Sequence, residues 1–124
     1  MNDCLFCKIT SGDIKSYTIF ENESFKVFLD VNPISNGHML IVPKKHILDC
    51  LDMDDETFKE MNSVIKKMAN LINEKLNADG LKLAQNNGIA QEIKHYHLHL
   101  IPVYKEKQNK EEVETIFNKL TSNK

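Results

Sequence analysis

Residues 95–101 read His95-Tyr96-His97-Leu98-His99-Leu100-Ile101, a strict alternation of imidazole and apolar or aromatic side chains. Only an extended chain sorts residues with a period of two, so this run predicts a strand with three histidines on one face and Tyr96, Leu98 and Leu100 on a core face. A strand of this kind needs sheet neighbours, and the rest of the chain supplies them. Tyr17–Phe20 and Phe25–Leu29 read as a hairpin across Glu21-Asn22-Glu23-Ser24. His38–Val42 reads as a third strand ended by Pro43, and Leu81–Gln85 as a fourth. The histidine strand, His95–Ile101, is the fifth and is ended by Pro102. Residues 4–10 form a short helical or irregular entry. Phe58, Met61, Ile65, Met68 and Ile72 fall on one helical face after a cap at Asp54 or Asp55, and Asn77-Ala78-Asp79-Gly80 closes that helix. Val113, Ile116, Phe117 and Leu120 mark a short C-terminal helix. The expected fold is α+β, an antiparallel sheet of about five strands with one long helix and a short C-terminal one.

The chain has 124 residues and 41% hydrophobic content, enough for one domain with its own core, expected to span 1–124. No apolar run approaches the ~18 residues of a membrane span, and no secretory signal is visible, so a cytoplasmic location and no membrane partner are expected. All 16 basic residues are lysine, against 18 acidic ones. A net charge of −2 without arginine speaks against nucleic acid as a partner, because base and phosphate recognition leans on guanidinium forks. Any phosphate chemistry here must use lysine, histidine or backbone amides.

Three histidines at alternate positions cannot all reach one ion: His95 and His99 lie about 13 Å apart along a regular strand. At least one is free for acid–base or nucleophilic work, or for an anion. Cys4 and Cys7 form a C-x-x-C that reads as metal-binding or redox-active, and Cys50 reads as a small buried hydrophobe.

The pattern His-φ-His-φ-His-φ-φ resembles the histidine triad (HIT) nucleotide-binding family. So do Cys4-Leu5-Phe6-Cys7-Lys8-Ile9, Phe28-Leu29-Asp30, Gly37-His38-Met39-Leu40-Ile41-Val42-Pro43-Lys44-Lys45-His46 and Gln85-Asn86-Asn87-Gly88. The chain is most similar to the phosphoramidase-type, Hint-like branch that carries C-x-x-C. The resemblance implies a homodimer, formed through the fourth strand and the long helix, that binds a purine nucleotide of AMP or GMP type. It implies a hydrolase or transferase that cleaves nucleoside phosphoramidates or adenylates through a nucleotidyl-histidine intermediate. His97 matches the nucleophile, with its second ring nitrogen held by a backbone carbonyl. His99 matches the phosphate partner, expected to work best when protonated, and His38 the fourth histidine. Asp30 matches the ribose-binding carboxylate, and Asn86 and Gln91 the polar contacts on the phosphate side. Phe6, Ile9, Ile14, Phe28 and Val31 match the base pocket. A structural zinc on Cys4, Cys7, His46 and His95 is implied, with no catalytic metal or organic cofactor.

Three positions depart from the family pattern. Only Ile89-Ala90 separates Gly88 from Gln91, two residues short of the usual loop. Glu92 stands where a serine is frequent, facing the leaving group, and Lys15 replaces a common proline. Two other functions remain open at this stage: a dinucleoside polyphosphate hydrolase, and a nucleotide-binding regulatory module with weak turnover. A zinc enzyme acting at the histidines is a further alternative, tested by chelation.

Overall fold

The computed structural model describes residues 3–122. Its elements run α1 (Leu5–Ser11), β1 (Thr18–Glu21), β2 (Phe25–Leu29), β3 (Met39–Pro43), α2 (Asp55–Leu76), β4 (Gly80–Gln85), β5 (Leu98–Val103) and α3 (Val113–Thr121), with a 3-10 turn at Gly88–Ala90. The five strands form one antiparallel sheet in the order β1-β2-β3-β5-β4, an α+β architecture with β1 and β4 at the edges. No helix of the described residues is long and apolar enough to cross a membrane.

Local chemistry explains where the elements begin and end. Asp54 caps α2, its carboxylate accepting from the Thr57 amide at 2.9 Å, so the cap is the first of the two expected aspartates. Asn77 ends α2 in the left-handed conformation at φ 54°. The Asn22 side chain accepts from the Ser24 and Phe25 amides and turns β1 into β2.

Sheet alternation then sorts the strands into two layers. Phe25, Val27, Leu29, Met39, Ile41, Leu98 and Leu100 pack beneath α2, which buries Met61, Val64, Met68 and Ile72 against them. Each fully buried side chain of this kind contributes on the order of 1.5–3 kcal/mol. On the other face Phe28, Leu40 and Val42 meet Phe6 and Ile9 of α1. Both faces of β2 and β3 are therefore covered, which is why these strands read as unbroken apolar runs. Lys26 is the buried exception; its amine donates to the Ile9 carbonyl at 3.0 Å and ties the end of α1 to the sheet.

The strand limits differ from the sequence expectation at both prolines and at the histidine run. β3 includes Pro43 and excludes His38; β5 includes Pro102 and starts only at Leu98. The ladder between β3 and β5 spans only Met39–Ile41 against Leu100–Leu98. Each proline thus lies beyond the β3–β5 ladder, while Pro43 still pairs with Phe25 of β2 and Pro102 with Leu81 of β4. Residues 95–97 leave the sheet because other partners hold them: the Tyr96 amide donates to the Ile47 carbonyl and the His95 amide to Ile93. The face assignment survives this change. Tyr96 and Leu98 still enter the α2 core, while His95 and His97 contact Phe6 on the opposite side. The first strand is Thr18–Glu21, one residue later than Tyr17–Phe20.

Candidate functional site

The N-terminus of α1, the segment following β3 and the segment preceding β5 bring two thiols and two imidazoles together. The ligand atoms of Cys4, Cys7, His46 and His95 all lie within 4.8 Å of one another. Cys7 Sγ is 3.1 Å from His46 Nδ1 and 3.4 Å from His95 Nδ1, and Cys4 Sγ is 3.3 Å from His95 Nδ1. A tetrahedral ion with metal–sulfur and metal–nitrogen bonds near 2.3 and 2.0 Å would set such pairs at about 3.6 Å. His95 is fully buried, and its Nε2 donates to the Pro43 carbonyl at 2.8 Å. A carbonyl can only accept, so Nε2 carries the proton and Nδ1 presents its lone pair to the thiols. Burial pushes the Cys4 thiol above its ordinary range, so a cation taken up here would release a proton. The donor set fits a thiophilic, tetrahedral cation.

A second histidine group runs from the sheet into an open cavity, and the backbone fixes the tautomer of each ring. His97 Nδ1 donates to the His95 carbonyl at 2.8 Å, which in the neutral ring puts the lone pair on Nε2. His38 Nδ1 accepts from the Ile34 amide at 3.0 Å, so the proton of neutral His38 is on Nε2. That Nε2 lies 3.0 Å from His99 Nδ1 and donates to it. His99 in turn carries its proton on Nε2. The result is a lone pair on His97 beside an N–H donor on His99, with ring centroids 5.0 Å apart. Burial, reinforced by His97, holds His99 below the usual imidazole range, and burial does the same to His38 although Asp30 opposes it. Burial thus favours the neutral form of His99, whereas the expectation of a protonated ring concerns the site facing a phosphate.

Asp30, His38 and His99 also place three ligand atoms within 4.8 Å. The Ile34 amide decides against an ion there. With Nδ1 of His38 occupied by a donor, Nε2 keeps its proton and has no lone pair for a metal.

The cavity beside His97 and His99 has a volume of ≈ 230 Å³. Phe6, Ile9, Phe28 and Val31 line it as expected, together with Asp30 and Glu92. Phe6 stands edge-on to Phe28 at 5.8 Å and to His97 at 4.8 Å. One Asp30 oxygen accepts from the Asn32 amide at 2.8 Å, and the other lies 3.6 Å from His38 Nε2. Leu5, Leu29, Asn32, Leu40, Ile93, Lys15, Ser16 and Tyr17 also line it; of these the sequence reading noted Lys15 only as a departure from the family pattern, and the apolar ones carry no signal distinguishing pocket from core.

Asn86, Gln91 and Ile14 are not brought into this lining. Gln91 is buried, and its side-chain amide donates to the Leu48 carbonyl, leaving its Oε1 without a hydrogen-bond partner. Nor is Cys50 a plain hydrophobe: its thiol accepts from Asn87 Nδ2 at 2.9 Å while its amide donates to Asn87 Oδ1 at 3.2 Å. The segment 86–91 is therefore clasped to the segment after His46 at two points, Cys50–Asn87 and Leu48–Gln91.

The HIT domain family matches residues 11–106, and the chain belongs to that family. It is 40% identical over 105 residues to an uncharacterized 16.1 kDa HIT-like protein of Mycoplasma pneumoniae, covering 83% of this chain and 73% of that protein. It is 37% identical over 105 residues to an adenosine 5'-monophosphoramidase of Candida albicans, covering 80% and 69% respectively. Among solved structures, a zinc-bound histidine triad family protein of Mycobacterium smegmatis superposes with a TM-score of 0.86 at 36% identity, covering 96% of this chain and 91% of that one.

Proposed function

We propose that the whole chain, 1–124, is one HIT domain of the Hint-like branch. It acts as a phosphoramidase-type nucleotide hydrolase or transferase on purine nucleoside phosphoramidates or adenylates. The observation that carries the reading is the His97 hydrogen bond to the His95 carbonyl, because it orients the ring so that Nε2 is the nitrogen left to act as nucleophile at the cavity wall. His97 Nε2 attacks the phosphorus, forming a nitrogen–phosphorus bond as the bond to the leaving group breaks. His99 Nε2–H stabilises the phosphoryl oxygens, His38 Nε2–H donates to His99 Nδ1 and so holds that ring's orientation, and a departing amine takes its proton from solvent. Water then attacks the phosphorus and releases the nucleoside monophosphate.

The base lies among Phe6, Ile9, Phe28 and Val31, and the free Asp30 oxygen receives the ribose hydroxyls. Gln91 and Asn87, gripping the 48–50 segment, position the phosphate-side loop and do not contact the phosphate. Cys4, Cys7, His46 and His95 hold zinc, whose part is structural: bound, it fixes His95 in place. His95 in turn presents the carbonyl that orients His97. A homodimer paired through the exposed edge of β4, with α2 alongside, and a cytoplasmic setting complete the proposal.

The name borne by the Candida relative and the zinc in the Mycobacterium structure support the reading. The test is His97→Asn assayed on adenosine 5'-phosphoramidate and on a diadenosine polyphosphate. Turnover of the phosphoramidate falls at least about a thousandfold while AMP binding is kept. Faster wild-type cleavage of the polyphosphate, or retained turnover in the variant, refutes the proposal.

A further inference from the structure

One buried asparagine ties the loop that carries His38 to the segment between β5 and α3. Asn36 is 6% exposed. Its Nδ2 donates to the Asn109 carbonyl at 2.8 Å, and its Oδ1 accepts from the Glu111 amide at 3.0 Å. Its own carbonyl accepts from the Tyr104 hydroxyl at 2.7 Å. The Asn109 carbonyl and the Glu111 amide flank Lys110. Binding both at once takes a donor and an acceptor side by side on one plane, which a carboxamide supplies.

The grip matters because the segment has little packing to rest on. Residues 104–112 form no regular element, and they border two openings of ≈ 430 and ≈ 450 Å³, both lined by Asn36, Tyr104 and Gln108. Two further ties run away from the His38 loop: the Lys105 amide donates to the Asp79 carboxylate at 2.8 Å, and the Lys119 amine donates to the Glu111 carboxylate. On the loop side the chain is tight. Gly37, at φ +95°, is the single residue between Asn36 and His38. The His38 amide donates to the Ser35 carbonyl at 3.1 Å, the Ser35 hydroxyl donates to the Pro102 carbonyl, and the Ile34 amide holds His38 Nδ1. A shift of Asn36 therefore passes directly into the backbone that orients the His38 ring.

Resting on the hydrolase reading above, we propose that Asn36 is a positioning residue for that reaction: it latches the 104–111 segment to the His38 loop and so holds His38 Nε2–H on His99 Nδ1. Asn36 does not line the cavity beside His97 and His99, so it acts through His38 and touches no substrate. A neutral His99 ring has two tautomers, and only one of them presents Nε2–H to the phosphoryl oxygens. The His38 donor selects that tautomer. Without the latch the His38 ring shifts, the His99 proton is no longer confined to Nε2, and the donor facing the phosphate is lost for part of the time. A misplacement of about 1 Å at a supporting residue costs up to roughly a hundredfold in rate, so the effect falls on kcat.

Three variants separate positioning from general stability. Asn36→Ala removes both side-chain bonds and leaves the Asn109 carbonyl and the Glu111 amide without that partner. Tyr104→Phe deletes only the hydroxyl that holds the Asn36 carbonyl and keeps the carboxamide, so it is the mildest of the three. Leu120→Ala loosens α3, in which Leu120 is buried, and removes none of these hydrogen bonds.

The test follows turnover of adenosine 5'-phosphoramidate, binding of AMP, and the ring-nitrogen NMR spectra of protein labelled in its histidines. In the wild type the spectra show His38 and His99 each protonated on Nε2. Asn36→Ala lowers kcat by about tenfold or more and keeps the AMP Kd within about twofold, while the His99 nitrogens move toward a mixture of the two tautomers. Tyr104→Phe gives the same signature at about two- to threefold in kcat, and it decides the question if Asn36→Ala does not fold. Leu120→Ala, assayed where it is folded, moves neither kcat nor the tautomer. Wild-type kcat with an unchanged His99 spectrum in the latch variants overturns the proposal. So does a Leu120→Ala protein that reproduces the Asn36→Ala spectrum, or a loss of AMP binding large enough to account for the whole effect. A wild type that turns over no phosphoramidate refutes the hydrolase reading by itself, and the spectra then decide the latch.

Discussion

Gly37 and Gly12 form a matched pair that separates backbone strain from close packing. Gly37 has φ +95° and Gly12 has φ +92°, so an alanine at either position meets the same left-handed backbone. The surroundings differ. A Cβ on Gly37 would lie 2.5 Å from Leu76 Cδ1 and 3.2 Å from Pro102 Cγ, whereas a Cβ on Gly12 has nothing within 4 Å. Strain at a left-handed L-residue costs about 1–2 kcal/mol, offset by about 0.4–1 kcal/mol from a stiffer unfolded chain. Gly12→Ala should therefore lose about 1 kcal/mol. Gly37→Ala adds an overlap of about 1–3 kcal/mol, because Leu76 at the end of α2 can turn away but the Pro102 ring, paired with Leu81 in the sheet, cannot. Its loss should be about 3 kcal/mol. Urea unfolding of both variants measures the difference, with thermal midpoints about 4 °C apart per kcal/mol as a second readout. Equal losses, within about 0.5 kcal/mol, would refute the packing that places the His38 loop against α2 and β5.

Protonation should destabilise the fold below neutrality. His38, His95 and His99 are all held below the ordinary imidazole range, chiefly by burial. The unfolded chain then binds protons that the folded one refuses. Their contribution is complete above about pH 6.5 and is lost as pH falls below it, with a slope of at most about 1.4 kcal/mol per unit for each histidine. Urea midpoints that stay flat between pH 7.5 and 5.5 contradict this. Removal of a bound zinc by a chelator should lower the thermal midpoint by the equivalent of about 4 kcal/mol where the ion had been a thousandfold above its Kd. A midpoint indifferent to chelator and to added zinc contradicts the Cys4–Cys7–His46–His95 centre.

The sequence made the layers legible because alternation survives small errors in strand limits. Tyr96 and His97 take opposite faces although neither lies in β5: Tyr96 packs into the α2 core and His97 against Phe6. What the sequence concealed was the set of backbone partners. Nothing in the residue order shows that the Ile34 amide takes His38 Nδ1 or that Pro43 offers its carbonyl to His95, yet these two contacts fix the protons of the histidine cluster. At His99 burial and the His38 donor favour the neutral ring, a balance the residue order does not display, whereas the expected imidazolium was argued from an incoming phosphate. Gln91 was read by resemblance as a phosphate contact; its side-chain amide instead donates inward to the Leu48 carbonyl, a partner the residue order does not display. Pro43 and Pro102 were read as strand stops on local propensity, and the short ladder between β3 and β5 made room for both rings.

The central claim is that His97 Nε2 is the atom that bonds to phosphorus. Rapid acid-free quenching of the protein with an adenylate substrate radiolabelled at the phosphorus, followed by peptide mapping, tests it most directly. The account predicts an acid-labile, base-stable label on His97 in the wild type, forming before monophosphate release, and none in His97→Asn. Label on His99, His38 or any other residue, or monophosphate released with no labelled protein at any time, would contradict it.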